Sequence, residues 1–364
     1  MMRAFGLVKS LGGRIAVNRV GLSVEAGQFV SLLGPSGCGK TTTLRMIAGL
    51  VAPDVGEIRI GGELVFSSAE GINVPAAKRN IGMVFQSYAL WPHYTIYNNV
   101  AYPLRVRRLR RAEIEDRVAW ALDLVKLGHL RDRYPDELSG GQQQRIALAR
   151  AVVYSPRLLL LDEPLANLDA RVRENVRFEI KELQRKAKIA TVYVTHDQSE
   201  AMSLSDKVVV MDSGVIAQEG APGEVYRHPT NEFVAGFVGT SNFIPGTITR
   251  IVSGGYIVRT EDGADVSCRS NGYRSDTGED VLLSIRPEDF EIHMVRPAGV
   301  VNSWPAQVID SAFLGNVVNY RMRVGEWTLQ VQAEPHVELQ RSDTSIFLSM
   351  REERIRVLQR AITT

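Results

Sequence analysis

Several apolar runs in the first 220 residues do not alternate with polar positions: Phe29–Leu33 (FVSLL), Ile81–Phe85 (IGMVF), Leu158–Leu161 (LLLL) and Thr191–Thr195 (TVYVT). A strand buried on both faces has no polar face to show, so such runs read as interior strands of a covered sheet. Helical stretches separate them. Arg111–Leu127 carries apolar residues at Ile114, Val118, Ala121, Leu122 and Val125, a stripe at helical spacing. Lys40–Leu50, Ala170–Lys188 and Ser199–Leu204 also read as helices, as does a segment from about Gln142 to Tyr154, ended near Pro156. Lys207–Gln218 reads as a hairpin turning at Asp212-Ser213-Gly214. Buried strands alternating with helices predict a mostly parallel sheet with both faces covered.

The pattern changes near Gly236–Asn242. Beyond it come short alternating segments: Gly246–Ile251, Tyr256–Thr260, Asp280–Ile285, Trp304–Asp310, Val317–Val324 and Trp327–Gln332. Gly, Asp and Asn punctuate them, as turns between strands require. The expected architecture is an α/β domain over 1–239, then a smaller all-β domain of barrel type over 240–364. A chain of 364 residues is long enough for both.

The first buried strand runs into Gly34-Pro35-Ser36-Gly37-Cys38-Gly39-Lys40-Thr41, which fits G-x-x-x-x-G-K-[ST] and opens a helix. Glycines let such a loop turn its backbone N–H groups onto phosphate oxygens, and the helix N-terminus adds partial positive charge. Lys40 would supply a point charge to the β- and γ-phosphates. The Thr41 hydroxyl is placed to ligate Mg²⁺, and Thr42 follows in the nucleotide-binding set. Cys38 reads as a small space-filler, although adjacent Lys40 would act to depress its pKa. The four leucines of 158–161 end in Asp162-Glu163. Ligands bind at the carboxyl ends of strands in open α/β sheets. Asp162 is expected to hold Mg²⁺ through water, and Glu163 to orient or deprotonate a water attacking the γ-phosphate. Together these features define a nucleoside triphosphatase.

Charge and composition narrow the rest. Forty-three basic residues against 41 acidic ones give a net charge of +2, and no basic stripe points to nucleic acid. The run Arg105–Arg111 (RVRRLRR) reads as a solvated helix start or loop. Two cysteines form no disulfide framework and suggest a reducing compartment. The N-terminus has no secretory h-region, and no apolar stretch is long enough to span a bilayer.

The stretch DELSGGQQQRIALARA (Asp136–Ala151) contains Leu138-Ser139-Gly140-Gly141-Gln142. With the phosphate loop, Gln86 after IGMVF, Asp162-Glu163, LANLD (Leu165–Asp169) and His196 closing TVYVT, the chain resembles the nucleotide-binding subunits of ATP-binding-cassette (ABC) transporters. That resemblance covers residues 1–239 closely and implies an α/β P-loop ATPase with a helical subdomain at about 87–155. It implies roles by position. Gln86 would be the lid glutamine that contacts Mg²⁺ or the water and senses the membrane partner. His196 would hydrogen-bond the γ-phosphate, and Asp169 would couple two sites across a dimer. Ser139, Gly140, Gly141 and Gln142 would cap the ATP held by a second copy, in a head-to-tail dimer. Relatives carry an adenine-stacking aromatic where this chain has Leu11; Phe5 is a substitute if the N-terminal strand is displaced.

Two features resemble the importer branch. Tyr88–Thr95 (YALWPHYT) is similar to the segment on which membrane subunits dock. Ser284–Phe290 (SIRPEDF) resembles a strand of the OB-type TOBE domain appended to such ATPases. Phe313–Tyr320 (FLGNVVNY) is similar to versions serving polyamine and ferric-iron importers, with sugar importers the alternative. A soluble, non-transport ABC ATPase is a further alternative. The resemblance implies ATP and Mg²⁺, two transmembrane permease subunits, an extracytoplasmic solute-binding protein, and a peripheral position on the cytoplasmic face of the cell membrane.

Overall fold

The computed structural model describes residues 1–270, 272, 274–336 and 346–360. Packing divides the chain into two compact units, Met1–Gly223 and Glu224–Thr364. The first opens with antiparallel strands β1 (Met2–Leu11) and β2 (Arg14–Val24). β3 (Phe29–Leu33) leads into α1 (Lys40–Ala48). Then come β4 (Val55–Ile60), β5 (Glu63–Ser67), β6 (Ile72–Asn73) and β7 (Ile81–Val84). Three helices follow: α2 (Ile96–Val106), α3 (Arg111–Leu124) and α4 (Gly140–Val152). β8 (Leu158–Asp162), α5 (Ala170–Ala187), β9 (Ala190–Thr195), α6 (Gln198–Leu204), β10 (Lys207–Asp212) and β11 (Val215–Gly220) complete it.

The expected covered sheet is present, with strand order β11-β10-β3-β9-β8-β7, parallel except for the β10–β11 hairpin. Its side chains divide by parity between two cores. Leu159, Leu161, Phe29 and Tyr193 face a core shared with α2, α3, α4 and α5. Leu158, Leu160, Val30, Leu32, Val192 and Val194 face one shared with α1 and the antiparallel sheet β2-β1-β4-β5-β6. Each leucine of β8 is fully buried, worth about 1.5–3 kcal/mol apiece. The antiparallel sheet escaped the pattern reading because its strands are short, bulged or exposed on one face.

The arginine run lies where expected, at the end of α2 and the start of α3, and its arginines are solvent-exposed. One correction concerns α4. It begins at Gly140, two residues before the expected start, because Ser139 and Gln142 form a capping box. Ser139 Oγ accepts from Gln142 N at 3.4 Å, and Gln142 Oε1 accepts from Ser139 N at 2.9 Å. Satisfying two orphan N–H groups extends the helix through residues of poor propensity.

The second unit is β-rich, as expected. α7 (Pro222–Arg227) and α8 (Glu232–Phe237) precede β12 (Asn242–Val252), β13 (Gly255–Thr260), β14 (Asp265–Arg269) and β15 (Asp280–Ile285). β16 (Glu291–His293), β17 (Ser303–Phe313), β18 (Val318–Val324), β19 (Trp327–Ala333), β20 (Ile346–Ser349) and β21 (Arg356–Gln359) follow. They form two five-stranded antiparallel sheets, β14-β13-β12-β15-β21 and β16-β20-β17-β18-β19, around one apolar core.

Arg79 anchors the first unit and was invisible to periodicity. It is 2% exposed and ends α1 by donating from Nη1 to Met46 O and Ile47 O, both at 2.9 Å. Its Nε donates to Val74 O at 2.8 Å. Burial lowers its pKa to about 10, yet it stays charged at neutral pH. Arg79→Ala removes the donor to the Ile47 carbonyl at the buried helix end and to the Val74 carbonyl, while Met46 O keeps the Gly49 N–H. It should cost about 3 kcal/mol, or roughly 6–12 °C in the melting temperature for a unit of this size, measured by thermal denaturation.

Candidate functional site

The parallel register lines up the strand ends. Leu33 of β3 lies opposite Thr195 of β9, Val194 opposite Asp162 of β8, and Leu161 opposite Val84 of β7. Along one edge of the sheet stand, in order, the phosphate loop, His196, Asp162 with Glu163, and Gln86. The last lies two residues beyond its strand.

The loop glycines are dictated by close packing. A Cβ on Gly34 would sit 2.4 Å from Met211 O and 2.6 Å from Cys38 Sγ. Gly39 has φ of 102°, and a Cβ there would lie 2.5 Å from Ala16 O. Gly37 is left-handed at φ 83°. Lys40 is buried, and its Nζ donates to Gly34 O at 2.7 Å and Pro35 O at 2.8 Å, so its charge lies inside the loop. Ser36 and Gly37 form the exposed rim, and Pro35 before them is partly buried. Cys38 is buried at 3% exposure. Burial raises its pKa and outweighs the opposing pull of Lys40 Nζ, 3.8 Å from the sulfur. The expected depression by Lys40 is thus corrected: desolvation dominates.

Thr41 Oγ1 donates to Asp162 Oδ1 at 3.1 Å, and Thr42, beside it on α1, is partly buried. Asp162 is 5% exposed. Burial pushes its carboxyl up, opposed by the Thr41 hydrogen bond and by Arg45, whose Nη2 is 3.8 Å from Oδ2. Its negative charge is therefore under-compensated by the chain, which suits a cation. Among the described residues no cluster of three or more His, Cys, Asp or Glu could hold a metal. A hydroxyl and one carboxylate fit Mg²⁺, which keeps waters and takes phosphate oxygens as its other ligands.

Glu163 has a left-handed backbone, φ 44°, unusual for a residue other than glycine. Its N–H donates to Val194 O at 3.0 Å, which fixes its backbone against β9. Oε2 lies 3.2 Å from His196 Nδ1, a pairing not read from the sequence. Thr195 Oγ1 and Tyr193 Oη both donate to buried Glu200, at 2.6 and 2.7 Å, fixing the strand end that carries His196. Gln86 is exposed, and its carbonyl accepts from Asn167 Nδ2 at 3.0 Å. That ties it to the LANLD turn. Asp169 caps α5, accepting from Val172 N at 2.9 Å. A Asn or Asp before an apolar periodic run signals such caps.

The segment after Gln86 is held in a strained form. Tyr88 and Ala89 are both left-handed, at φ 60° and 49°. Arg150 of α4 secures their carbonyls, with Nη2 to Tyr88 O at 2.8 Å and Nη1 to Ala89 O at 2.7 Å. Its guanidinium lies 4.8 Å from the Trp91 ring centroid. Fully buried Asn99 clamps Trp91 through its N–H and carbonyl, and holds the Tyr94 carbonyl. Trp91, Tyr94 and Tyr102 cluster beside exposed Pro92 and His93. Arg150 and Asn99 carried no recognisable local motif.

Ser139 and Gly140 are exposed at the N-terminus of α4, and Gln142 is partly buried by its cap. Gly141 is buried, and a Cβ there would meet Val172 Cγ1 at 2.8 Å. At Gly140 the nearest group would be Leu168 Cδ2 at 3.3 Å. Gly141 therefore also sets how closely α4 approaches α5, and Gly140 how closely it approaches the turn before α5. Leu11 ends β1 and is 48% exposed, followed by left-handed Gly12 and Gly13. Phe5 pairs with Glu57 of β4 in mid-strand. It lies roughly 20 Å along β1 from Leu11, so the strand is not displaced and Leu11 holds the hairpin tip.

Fold and site geometry define a P-loop ATPase. Residues 17–166 match the ABC transporter family model, and residues 283–358 match the TOBE domain. The chain is 48% identical over 294 residues to the trehalose/maltose import ATP-binding protein MalK of Thermococcus litoralis, covering 79% of this chain and 78% of that one. It is 42% identical to the Fe(3+) ions import ATP-binding protein FbpC of Agrobacterium fabrum, covering 96% and 95%. A dimeric post-hydrolysis structure of the ATP-binding cassette MJ0796, bound to ADP and Pi, is similar at 31% identity and a TM-score of 0.52, covering 61% of this chain and 99% of that one. The chain therefore belongs to the ATP-binding-cassette family, among the import ATP-binding proteins that carry a TOBE domain. It is an ATPase of that family. Among the described residues no helix is long and apolar enough to cross a membrane.

Gly141→Ala should destabilise the free chain by about 1–3 kcal/mol through overpacking against Val172. Ser139→Ala should cost about 1 kcal/mol through loss of the cap. Thermal melts without nucleotide check both.

Proposed function

We propose that this chain is the ATP-hydrolysing subunit of a binding-protein-dependent importer, bound to two permease subunits at the cytoplasmic face of the cell membrane. The observation that carries the reading is the single edge shared by the phosphate loop, Asp162, Glu163 and His196. The loop amides of Gly34–Thr41, with Lys40 and Thr42, bind the ATP phosphates. Thr41 and Asp162 hold Mg²⁺, which supplies charge neutralisation at the β- and γ-phosphates, and Gln86 reaches the same region from β7. Glu163 orients the attacking water and accepts its proton, and His196 beside it hydrogen-bonds the γ-phosphate. Leu11 covers the adenine face with aliphatic contact only.

Two copies join head to tail. Exposed Ser139 and Gly140, with Gly141 and Gln142 behind them, offer a capped helix N-terminus to the γ-phosphate held by the other copy. Asp169 couples the two sites. The dimeric form of the MJ0796 cassette supports this arrangement. The Trp91–Tyr94–Tyr102 cluster is the docking face for the permeases, and the extracytoplasmic binding protein acts through them. The ferric-iron relative aligns with nearly the whole chain, β-rich tail included, which favours a ferric-iron or polyamine solute over a sugar.

Glu163→Gln should trap an ATP-bound dimer, seen as a shift in sedimentation velocity with ATP; a persistent monomer carrying ATP would sink the scheme. Leu11→Tyr should raise discrimination for ATP over GTP severalfold, since it restores a stacking partner. Equal kcat/KM ratios in parent and variant would argue against Leu11 as the adenine contact. Lys40→Ala in the cell should abolish uptake of one solute class, and ferric iron and polyamines are the first to assay.

A further inference from the structure

A cleft of about 270 Å³ opens in the second unit. It lies between the end of α7, the turn Pro287–Asp289 after β15, and the turn Glu352–Arg354 before β21. Four guanidiniums line it, those of Arg227, Arg286, Arg354 and Arg356, against two carboxylates, Glu288 and Asp289. The lining therefore carries more positive than negative charge.

Some of these groups are already committed. Arg286 is 6% exposed and donates to the carbonyls of Ala235, Thr240 and Tyr226, all at 2.9 Å. Its guanidinium stacks 4.3 Å from the Tyr226 ring centroid. Glu288 accepts from the Tyr226 hydroxyl. Arg354 Nη1 reaches Asp289 Oδ1 at 3.5 Å. Asp289 is thus the one carboxylate left to answer Arg354 and Arg356 together, and it also lies within the field of Arg286.

Arg356 and Arg227 are different. Among the described residues neither guanidinium makes a hydrogen bond or an ion pair, and the one carboxylate whose charge acts on Arg356, Asp289, is already paired with Arg354. Arg356 is half-buried, and burial lowers its pKa despite the pull of Asp289. A guanidinium half removed from water with no acceptor is unfavourable, and an anion would relieve it. Its planar fork of donors matches the oxygens of phosphate and carboxylate. The volume falls just below the roughly 300–1,000 Å³ of drug-sized ligand sites, which suits a compact ligand.

We propose that this cleft is a binding site for a small, multiply charged oxyanion, held between Arg227 and Arg356 with Arg354 beside them. Phosphate and polycarboxylate share the required chemistry. The site lies within the β-rich unit and is separate from the nucleotide loop.

The test is hydrogen-exchange mass spectrometry on the full chain, with inorganic phosphate, citrate or chloride at matched ionic strength. Phosphate, citrate or both should slow exchange severalfold in peptides spanning 224–230 and 352–359. Protection by phosphate alone identifies a phosphate ligand, and by citrate alone a polycarboxylate. Residues 34–41 report phosphate at the nucleotide loop separately. Arg227→Gln and Arg356→Gln should each raise the half-saturating concentration at least about tenfold, a loss of about 1.4 kcal/mol. Arg227 is exposed, so its variant keeps the fold and its basal ATPase rate. Equal protection by chloride, protection confined to 34–41, or unchanged affinity in both variants would overturn the proposal.

Discussion

The register of four parallel strands governs this protein. β3, β9, β8 and β7 pair so that the phosphate loop, His196, the Asp162–Glu163 pair and Gln86 emerge along one edge. A slip of one residue in β8 would exchange the leucines between the two cores and turn each carboxylate to the opposite side. The polar residues that bound the four leucines oppose that slip, since it would draw either Arg157 or Asp162 into the place of a fully buried leucine. The catalytic geometry is thus a by-product of packing leucines, and the stability of the sheet and the placement of the chemistry are one requirement.

Given that frame, the site departs from ordinary backbone rules where function needs it. Glu163 and the Tyr88–Ala89 pair take left-handed conformations that cost of order 1–3 kcal/mol each. Neighbours hold each in place. Val194 O receives the Glu163 amide, and Arg150 secures the Tyr88 and Ala89 carbonyls. Asp162 is likewise kept in a buried position that raises its pKa, against which Thr41, Arg45 and Lys40 favour its charge.

Much of this was legible in the sequence, for identifiable reasons. The apolar runs located β3, β7, β8 and β9 to within a residue or so, because strands buried on both faces carry no competing polar signal. The phosphate loop was readable because its glycines answer local steric demands. The antiparallel sheet and the buried arginine Arg79 were not readable. β1 and β2 are bulged and half exposed, which breaks the period-2 signal. Arg79 looks like a surface residue until the distant carbonyls of Met46 and Ile47 surround it, and Asn99 until the turn before α2 folds the Trp91 and Tyr94 carbonyls onto it. The His196–Glu163 pairing arises from strands adjacent in space but 32 residues apart in sequence, and no local pattern encodes it. The early start of α4 was hidden by helix propensity, which disfavours the glycines that the capping box overrides.

α4 has a mechanical meaning beyond its packing. Its 13 residues make a rod of roughly 20 Å. One end presents Ser139 and Gly140 to solvent, and Arg150 near the other end grips the turn after Gln86 and lies on Trp91. Its glycines stand only in the first turn, and it contains no proline, so nothing along its shaft absorbs a bend. A displacement imposed at its tip is delivered to the aromatic cluster as a displacement of the whole lever, with Arg150 as the pin.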